Sequence, residues 1–285
     1  MKDLTSREKD MIELPEGVTL AKQLNETIKG KCIASVVAVQ SPHKFAWFQG
    51  DPQKYSALLV SKLIGEAIGC GAMVEIKVDD AALLFGDGVN LRFHVKNEIR
   101  PEKHQLLIEF ADGTALSAFV QMYGGLWCFR EGEFDNRYYL LAKAKPSPLT
   151  ADFSEAYFTQ LISVREVQIL SAKAFLATEQ RIPGLGNGVL QDILFNARIH
   201  PKKKVGLLTE KEKPGLFCAV KTTLKEMCDR GGRDTEKDLY GNPGGYKTIL
   251  SKNTVGTPCP ACGKIIEKAA YLGGSIYYCP DCQKI

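Results

Sequence analysis

The chain has 285 residues, 45% of them hydrophobic and 25% charged, a composition that excludes a fibrous or disordered protein. This length accommodates two domains and a small appended module. No apolar run approaches the roughly 20 residues that cross a bilayer, and the polar start MKDLTSREKD lacks the apolar core of a signal peptide. We therefore expect a cytoplasmic protein with no membrane partner.

The charge is unevenly distributed along the chain. Residues 198–285 carry 16 Lys and Arg against 9 Asp and Glu, a net +7, whereas residues 1–197 carry 21 against 24, a net −3. A basic C-terminal third favours contact with a polyanion at one end of the molecule. A solubilising surface has the same pattern, so charge alone leaves both interpretations open.

In chain order, the first predicted elements are a helix and a set of strands. The helix covers residues 14–30, where Pro15 suits the first turn and Gly30 ends the pattern. β-Branched and aromatic runs follow, separated by Asp-Asp and Asp-Gly turns, and they predict an antiparallel β-sandwich. These runs are residues 32–40, 72–78, 81–95 and 104–123.

The second half of the chain is predicted to be helical. Residues 143–149, KAKPSPL, have the composition of a linker, and the Gly-rich residues 231–256 predict a long functional loop. Between them, helices are predicted at residues 152–162, 171–179, 189–198 and 209–230. The predicted fold class is α+β, with segments at residues 1–10, 11–145, 146–250 and 251–285.

Four cysteines at the C-terminus have the spacing of a metal site. Cys259 and Cys262 form one C-x2-C pair, and Cys279 and Cys282 form a second after a 16-residue spacer. Such pairs place four thiolates about 2.3 Å from one tetrahedral Zn²⁺, a closed and structural site. The alternative is a pair of redox motifs, which more often lie at a helix start beside a strand. We predict one structural zinc ion.

The segment PGLGNG, residues 183–188, joins two predicted helices. Its glycines allow backbone amides to face outward at a helix N-terminus, which is a ready anion site, with Asn187 as a cap or phosphate donor. The same glycines can serve only a tight turn between helices. Because Lys202, Lys203 and Lys204 follow soon after, a grip on the DNA backbone is the better interpretation.

Three separated motifs together resemble one protein family. They are ELPE (residues 13–16), EQRIPGLGN (179–187) leading to IHP, and the finger CPxCG…YYCPxCQ. The combination resembles the formamidopyrimidine-DNA glycosylase and endonuclease VIII family over residues 11–285. The resemblance implies a β-sandwich with a flanking helix, a helix–two-turn–helix DNA-binding domain and a zinc β-hairpin finger. It also implies a monomer that excises oxidised bases from double-stranded DNA and nicks the abasic site.

The resemblance implies a mechanism that this chain matches only in part. The family flips the base out, and an N-terminal proline attacks C1′ while the adjacent glutamate moves protons. The glutamate is Glu13, but the proline position holds Ile12, whose peptide nitrogen is not nucleophilic. Residues 1–10 are thus an extension or a mis-assigned start, and translation from Met11 is the interpretation that we favour.

The resemblance also assigns DNA contacts. Asn187 matches a phosphate-holding asparagine, Arg181 keeps the charge of a lysine in the helical module, and Lys202 and Lys203 add positive charge. The family's hairpin lysine and finger arginine fall at two residues without charge, Ala72 and Gly274.

Two further groups of contacts follow from the resemblance. The wedge that fills the gap left by the flipped base falls near Val89, Met122 and Tyr123, which remain apolar or aromatic. Candidates for lesion recognition lie in the long loop: Arg233, Lys237, Tyr240 and Tyr246.

Three functions are weighed. The first is a DNA glycosylase with weak or altered abasic-site lyase activity, in which Glu13 activates water; Glu13 can equally be a capping-box carboxylate with no catalytic part. The second is a non-catalytic binder of damaged DNA on the same fold. The third is a zinc-dependent protein-interaction module, which leaves PGLGNG and ELPE without a purpose.

Overall fold

The computed structural model describes residues 11–285, and the predicted extension at residues 1–10 lies outside them. The first helix, α1, spans Leu14–Thr27 with Pro15 in its first turn and with Glu13 as its N-cap. It ends where the Ile28 N–H donates to the Leu24 carbonyl and Gly30 takes a φ of +81°. Its apolar side packs on the sheet, as the helical spacing predicts.

Seven strands of the N-terminal half form one sheet in the order β1-β6-β7-β5-β4-β3. All of these pairings are antiparallel, and the short β2 adds a parallel pairing to β7. Two short helices lie on this half, α2 (Tyr55–Leu59) and α3 (Arg137–Ala144). The strands are β1 Ile33–Ala38, β2 Ala46–Trp47, β3 Ile64–Cys70, β4 Met73–Val78, β5 Ala81–His94, β6 Leu106–Phe110 and β7 Ala115–Arg130.

The two longest strands, β5 and β7, pair with each other and belong to both halves of the sheet. In one half the start of β5 pairs with β4, which pairs with β3. In the other half the start of β7 pairs with β6, which pairs with β1. The β5–β7 register shifts between Asp87 and Val89, where Asp87 takes a φ of +58°. Such a bulge bends the strand that carries it. Side chains from both halves share one hydrophobic core, for example Phe85 from one half and Ile108 from the other. The α+β class with an antiparallel sheet is confirmed, and the sandwich is built from one continuous sheet.

The second half of the chain is helical around its own core. Phe153, Phe158 and Phe175 are fully buried there. The helices are α4 Glu155–Ser163, α5 Arg165–Gln168, α6 Ala172–Ala177, α7 Val189–Asn196 and α8 Glu212–Asp229. No helix within residues 11–285 is long and apolar enough to cross a membrane.

The chain closes with a two-stranded hairpin, β8 (Glu267–Tyr271) and β9 (Gly274–Tyr278). A small core holds it against α7, with Phe195 from that helix packed on residues of the hairpin that include Tyr277. The side chain of Gln191 completes the attachment, because it accepts from the Tyr277 N–H at 3.0 Å and donates to the Ser275 carbonyl at 3.2 Å. Helix α7 therefore positions the finger.

Candidate active site and metal centre

Glu13 lies where the N-terminus of α1 meets the N-terminus of α7. Its side chain is buried, and its two carboxylate oxygens accept hydrogen bonds of 2.8 Å each from the Gly188 and Val189 amides. The α1 capping box is also present, with the Glu13 N–H donating to Glu16 Oε2 at 3.2 Å. Glu13 thus has the structural role foreseen for it, and also fills the anion site of α7.

This arrangement corrects the prediction that the amides of the PGLGNG turn face a DNA phosphate. The protein's own carboxylate takes the Gly188 and Val189 amides, because an anion is stabilised at a helix N-terminus. The glycines have a different purpose. A side chain at Gly186 would overlap the Glu13 carboxylate, and one at Gly188 would overlap the Arg233 guanidinium. They allow these two groups to approach the turn.

Arg233 is the centre of a buried ionic network. Only 2% of it is exposed, and its guanidinium donates to Glu16 in a bidentate pair, Nε to Oε1 at 3.0 Å and Nη2 to Oε2 at 2.7 Å. Nη1 lies 3.7 Å from Glu13 Oε2, and Nη2 lies 3.8 Å from Glu236 Oε1. The prediction that Arg233 recognises a lesion is therefore wrong, because its donors are held by carboxylates inside the protein.

Burial and the Arg233 charge shift the pKa of Glu13 in opposite directions. Desolvation raises the pKa of this carboxyl above its usual value, and the Glu16 charge raises it further. Arg233 and the two α7 amides lower it, but burial has the largest effect. The result is a carboxylate that is a stronger base than an exposed glutamate.

Glu236 is a carboxylate that the sequence did not identify. Its Oε2 accepts from the Met11 N–H at 2.7 Å, and burial raises its pKa to about 7. The neighbouring Ile12 amide donates to the Asp87 carbonyl at 2.8 Å, and the Ile12 side chain lies in the core. The nitrogen at the family's proline position is thus committed to a backbone hydrogen bond. In the sequence, Glu236 stands out only as an acidic residue within a Gly-rich loop.

The predicted wedge residues differ in their exposure to solvent. Tyr123 lies beside the site, because it directly precedes Gly124, which pairs with Asp87, and the Asp87 carbonyl accepts from the Ile12 N–H. Burial raises the pKa of the Tyr123 hydroxyl. Met122 is exposed. Val89 is 3% exposed and lies in the main core, so its prediction is wrong.

Asn187 and Gly274 meet where the finger contacts the α7 turn. Asn187 Nδ2 donates to the Ser275 carbonyl at 3.0 Å, while its buried Oδ1 has no hydrogen-bond partner among the described residues. A side chain on Gly274 would begin 3.6 Å from the Asn187 amide and 3.4 Å from Lys173 Nζ. Lys173 is a buried cation that the sequence did not identify, and it donates to the Tyr271 carbonyl at 2.7 Å. A positive charge thus lies beside Asn187 although Gly274 supplies none.

The other predicted DNA-binding cations differ in what already pairs with them. Arg181 contacts Glu179 at 2.8 Å and donates to the Thr178 carbonyl at 3.1 Å. Lys203 Nζ lies 2.6 Å from Glu212 Oε1. Lys202 is exposed, with its Nζ 5.5 Å from the centroid of the Tyr271 ring at the tip of the finger.

Of the loop candidates, Tyr246 is also buried, and its hydroxyl bonds to the Asp192 carboxylate. Its predicted contact with a lesion is therefore wrong. Lys237 and Tyr240 stay predictions. Asp192 in turn accepts from the Ile249 and Leu250 amides at 2.9 and 2.7 Å, and thereby ties α7 to the segment before the finger.

The four cysteine thiols converge on one point. Their sulfur atoms all lie within 4.8 Å of one another, with Cys259 and Cys282 3.8 Å apart and Cys262 and Cys279 3.4 Å apart. Tetrahedral coordination at about 2.3 Å requires sulfur–sulfur separations of roughly 3.8 Å. The donor set can therefore bind a metal ion, and it leaves no position for water.

The fold and site define a two-part α+β protein in which a glycine-rich turn, a buried glutamate and a four-cysteine finger meet. No family model matches the chain. It is 28% identical over 279 residues to a formamidopyrimidine-DNA glycosylase of Bacillus cereus, covering 96% of this chain and 99% of that one. The MutM (Fpg) structure from Thermus thermophilus matches with a TM-score of 0.78 at 26% identity, over 95% of this chain and 98% of that one.

A further solved structure, MutM in complex with DNA that contains carbocyclic 8-oxo-G, matches with a TM-score of 0.80 at 25% identity. It covers 96% of this chain and 100% of that one. These similarities, which cover nearly the whole chain, support the formamidopyrimidine-DNA glycosylase and endonuclease VIII-like family.

Proposed function

We propose that this protein is a DNA glycosylase that removes oxidised bases from damaged DNA, with Glu13 as its acid–base group. The observation that carries the proposal is the position of Glu13, buried between two helix N-termini and beside Tyr123. The relatives support the substrate class, because they are described as formamidopyrimidine-DNA glycosylases and a matching structure holds damaged DNA. Action on DNA would place the protein in the cytoplasm, at the nucleoid.

The chemistry that fits these residues is hydrolysis. Glu13 takes a proton from water as the water oxygen bonds to C1′ of the flipped nucleotide. The bond from C1′ to the base breaks, its electrons leave with the base, and the proton on Glu13 is then available to that base. Each carboxylate oxygen has a second lone pair beside the one that accepts an α7 amide, so Glu13 can act without losing its anchors.

Two observations favour weak or altered abasic-site lyase activity. The Ile12 nitrogen is a peptide amide that donates to the Asp87 carbonyl, and Ala72 stands at the family's hairpin lysine. A chain that begins at Met11 would instead present a free amine 2.7 Å from Glu236. Intact-mass analysis of the protein from its native host tests that start, and a mass that includes residues 1–10 would exclude it.

The proposed DNA grip uses Asn187 and the cations around it. The Asn187 side-chain NH2 carries two N–H groups and donates to the Ser275 carbonyl, so its second N–H would donate to a phosphate oxygen. Lys173 lies beside it, and the exposed Lys202 lies next to the finger. Arg181 and Lys203 would add charge, although each already has an acidic partner. Met122 and Tyr123 would fill the gap left by the flipped base.

The finger would be held by one structural Zn²⁺ on Cys259, Cys262, Cys279 and Cys282. The ion supplies folding free energy rather than reaction chemistry, because four thiolates leave no open position. The protein would act as a monomer on duplex DNA.

The second candidate, a non-catalytic reader of damaged DNA, is favoured by the same two losses at Ile12 and Ala72. Base release from duplexes with 8-oxoguanine, an oxidised pyrimidine or an abasic site distinguishes the two functions, with borohydride added to trap any Schiff base. A glycosylase releases base, whereas a reader binds with salt-sensitive affinity, about −0.9 per phosphate contact on the log–log slope, and releases none. Release without trapping would support the hydrolytic route.

A further inference from the structure

A group of large side chains lies exposed at one edge of the sheet, where β2 runs beside β7. Phe45 is 48% exposed, Trp47 is 44% exposed and Met122 is 40% exposed. The Trp47 ring lies 5.7 Å from the ring of the half-buried Tyr123, centroid to centroid. We call Phe45, Trp47, Met122 and Tyr123 the aromatic shelf.

The backbone holds the aromatic shelf in place. Strand β2 pairs with β7 at Gly124 and Gly125, and the Gly124 N–H donates to the Phe45 carbonyl at 3.0 Å. The next aromatic residue, Phe48, packs instead against Tyr55 of the main core. The fold therefore partly buries one aromatic side chain of this segment and leaves two exposed at an anchored strand, where they contribute little to folding.

The aromatic shelf adjoins the proposed reaction centre. Tyr123 is its inner end, because it directly precedes Gly124, which pairs with Asp87, and the Asp87 carbonyl accepts from the N–H of the residue before Glu13 at 2.8 Å. Trp47 and Phe45 extend the surface outward from there. At the outer end, Lys44 Nζ lies 5.3 Å from the centroid of the Phe45 ring, so a cation accompanies the rings.

We propose that the aromatic shelf stacks an unpaired nucleobase next to the damaged nucleotide, so that the preferred substrate is damaged DNA whose neighbouring bases are unpaired. This inference rests on the proposed function, because it takes the shelf to lie along bound DNA. Aromatic rings beside a cation match the stacked bases and phosphates of a single strand. Each base stacked on an aromatic side chain contributes roughly 5- to 150-fold in affinity. In closed duplex Met122 and Tyr123 fill the gap left by the flipped base, but the neighbouring bases remain stacked on one another and leave Phe45 and Trp47 unused.

The two tryptophans of the chain make the test direct, because Trp47 is exposed and Trp127 is buried. The probes are a tetrahydrofuran abasic-site analogue in closed duplex and the same analogue in a five-nucleotide bubble. We expect at least tenfold tighter binding to the bubble, with quenching of tryptophan fluorescence. Trp47→Ala and Phe45→Ala should each weaken bubble binding fivefold or more, and leave duplex binding within twofold.

Two controls separate stacking from a general loss of surface. Trp47→Phe keeps a stacking ring, so it should retain bubble affinity and lose the quenching. Tyr138→Ala removes an aromatic residue of similar exposure on α3 and should change neither affinity. Equal affinity of the wild type for bubble and duplex would overturn the inference, as would unchanged bubble affinity in Trp47→Ala.

A different occupant would also be visible. A dimer in sedimentation that Trp47→Ala dissociates would mean that the shelf pairs with a second copy of the chain, and would overturn the inference. Failure of the proposed function gives a separate result: no base release from oxidised-base duplex or bubble, whatever the preference in binding. Base release from duplex with no preference for bubbles would overturn only the shelf.

Discussion

The start of α1 and the C-terminal finger both pack against helix α7, and each is attached by a different kind of contact. The finger is fastened mainly by uncharged groups, such as the Gln191 amide on the Tyr277 and Ser275 backbone. The start of α1 is fastened by Glu13 on two α7 amides and by the ions around Arg233. The finger carries the four cysteines of the metal site, so its attachment should depend on the metal ion. The α1 attachment is ionic, so it should depend on protonation and charge balance.

Loss of the metal ion should have the largest effect, and it should be confined to the finger. Chelation at neutral pH, or the Cys279→Ser variant, should unfold the hairpin and weaken binding to abasic-site DNA by about 100-fold or more, because metal binding supplies the folding free energy of such sites. Metal analysis and a binding titration measure this. Cys218→Ser, at an exposed cysteine outside the cluster, is the control. Unchanged binding after chelation would contradict the account.

Removal of the central cation should destabilise the other attachment. Arg233→Met leaves Glu13, Glu16 and Glu236 buried together without a counter-charge and should lower the free energy of unfolding by about 3–5 kcal/mol. Arg230→Met, which breaks an exposed pair with Glu226, should lower it by less than about 1 kcal/mol. Denaturant titration measures the free energy of unfolding of both variants. Equal decreases would mean that the buried network stabilises the protein no more than an exposed ion pair does.

The α1 attachment should also weaken as pH rises. The pKa of Glu236 is raised to about 7 in the folded protein, so the folded state holds a proton that the unfolded state releases near pH 4.5. Stability from this group is therefore present below pH 4.5 and is lost as pH rises through 7.

The Glu236→Gln variant should remove this dependence, which is on the order of 3 kcal/mol between pH 4.5 and 8. Thermal unfolding at several pH values measures the difference between the two proteins. Asp192, whose pKa burial raises to about 6, remains in both and cancels in the comparison. Parallel stability curves for wild type and variant would contradict the assignment to Glu236.

The smallest effect should come from restoring a charge on the finger. Gly274→Arg would start a side chain 3.6 Å from the Asn187 amide and should tighten DNA binding by roughly tenfold, with a log–log salt slope steeper by about 0.9. Leu272→Arg adds the same charge at an exposed position of the same turn and is the matched control. Equal gains from both variants would show a general charge effect rather than a site at Asn187.

The sequence predicts the elements whose signals are local. Helix α1 begins at a proline with a capping box, and the paired cysteines mark the finger. Strand β3 was missed because IGEAIGC has two glycines and little β-branched character, and it exists by pairing with β4. Helix α2 has only five residues and gives little periodic signal, and α3 runs into the segment that the sequence predicts as a linker.

Long-range pairing explains the errors at the site. No local pattern indicates that Arg233 pairs with Glu16, which lies 217 residues away, so the sequence predicts a DNA contact for a cation in a Gly-rich loop. The glycines of PGLGNG were identified, but their purpose depends on Glu13 and Arg233, which approach from distant segments. Glu236 has only the weak signal of an acidic residue in a Gly-rich loop and Lys173 has none, so burial in the fold is what distinguishes both.

The central claim is that Glu13 carries out chemistry as well as joining the two helices. Single-turnover base release from oxidised-base duplex tests it, with Glu13→Gln compared with Glu26→Gln at an exposed position of the same helix. We predict a loss of about 100-fold or more for Glu13→Gln alone, with DNA affinity within threefold of wild type, because a positioned acid–base group contributes about 10²–10⁴-fold. Equal release rates in the two variants would contradict the claim, because base would then be released without Glu13. No release by the wild type would also contradict it and would leave a reader of damaged DNA.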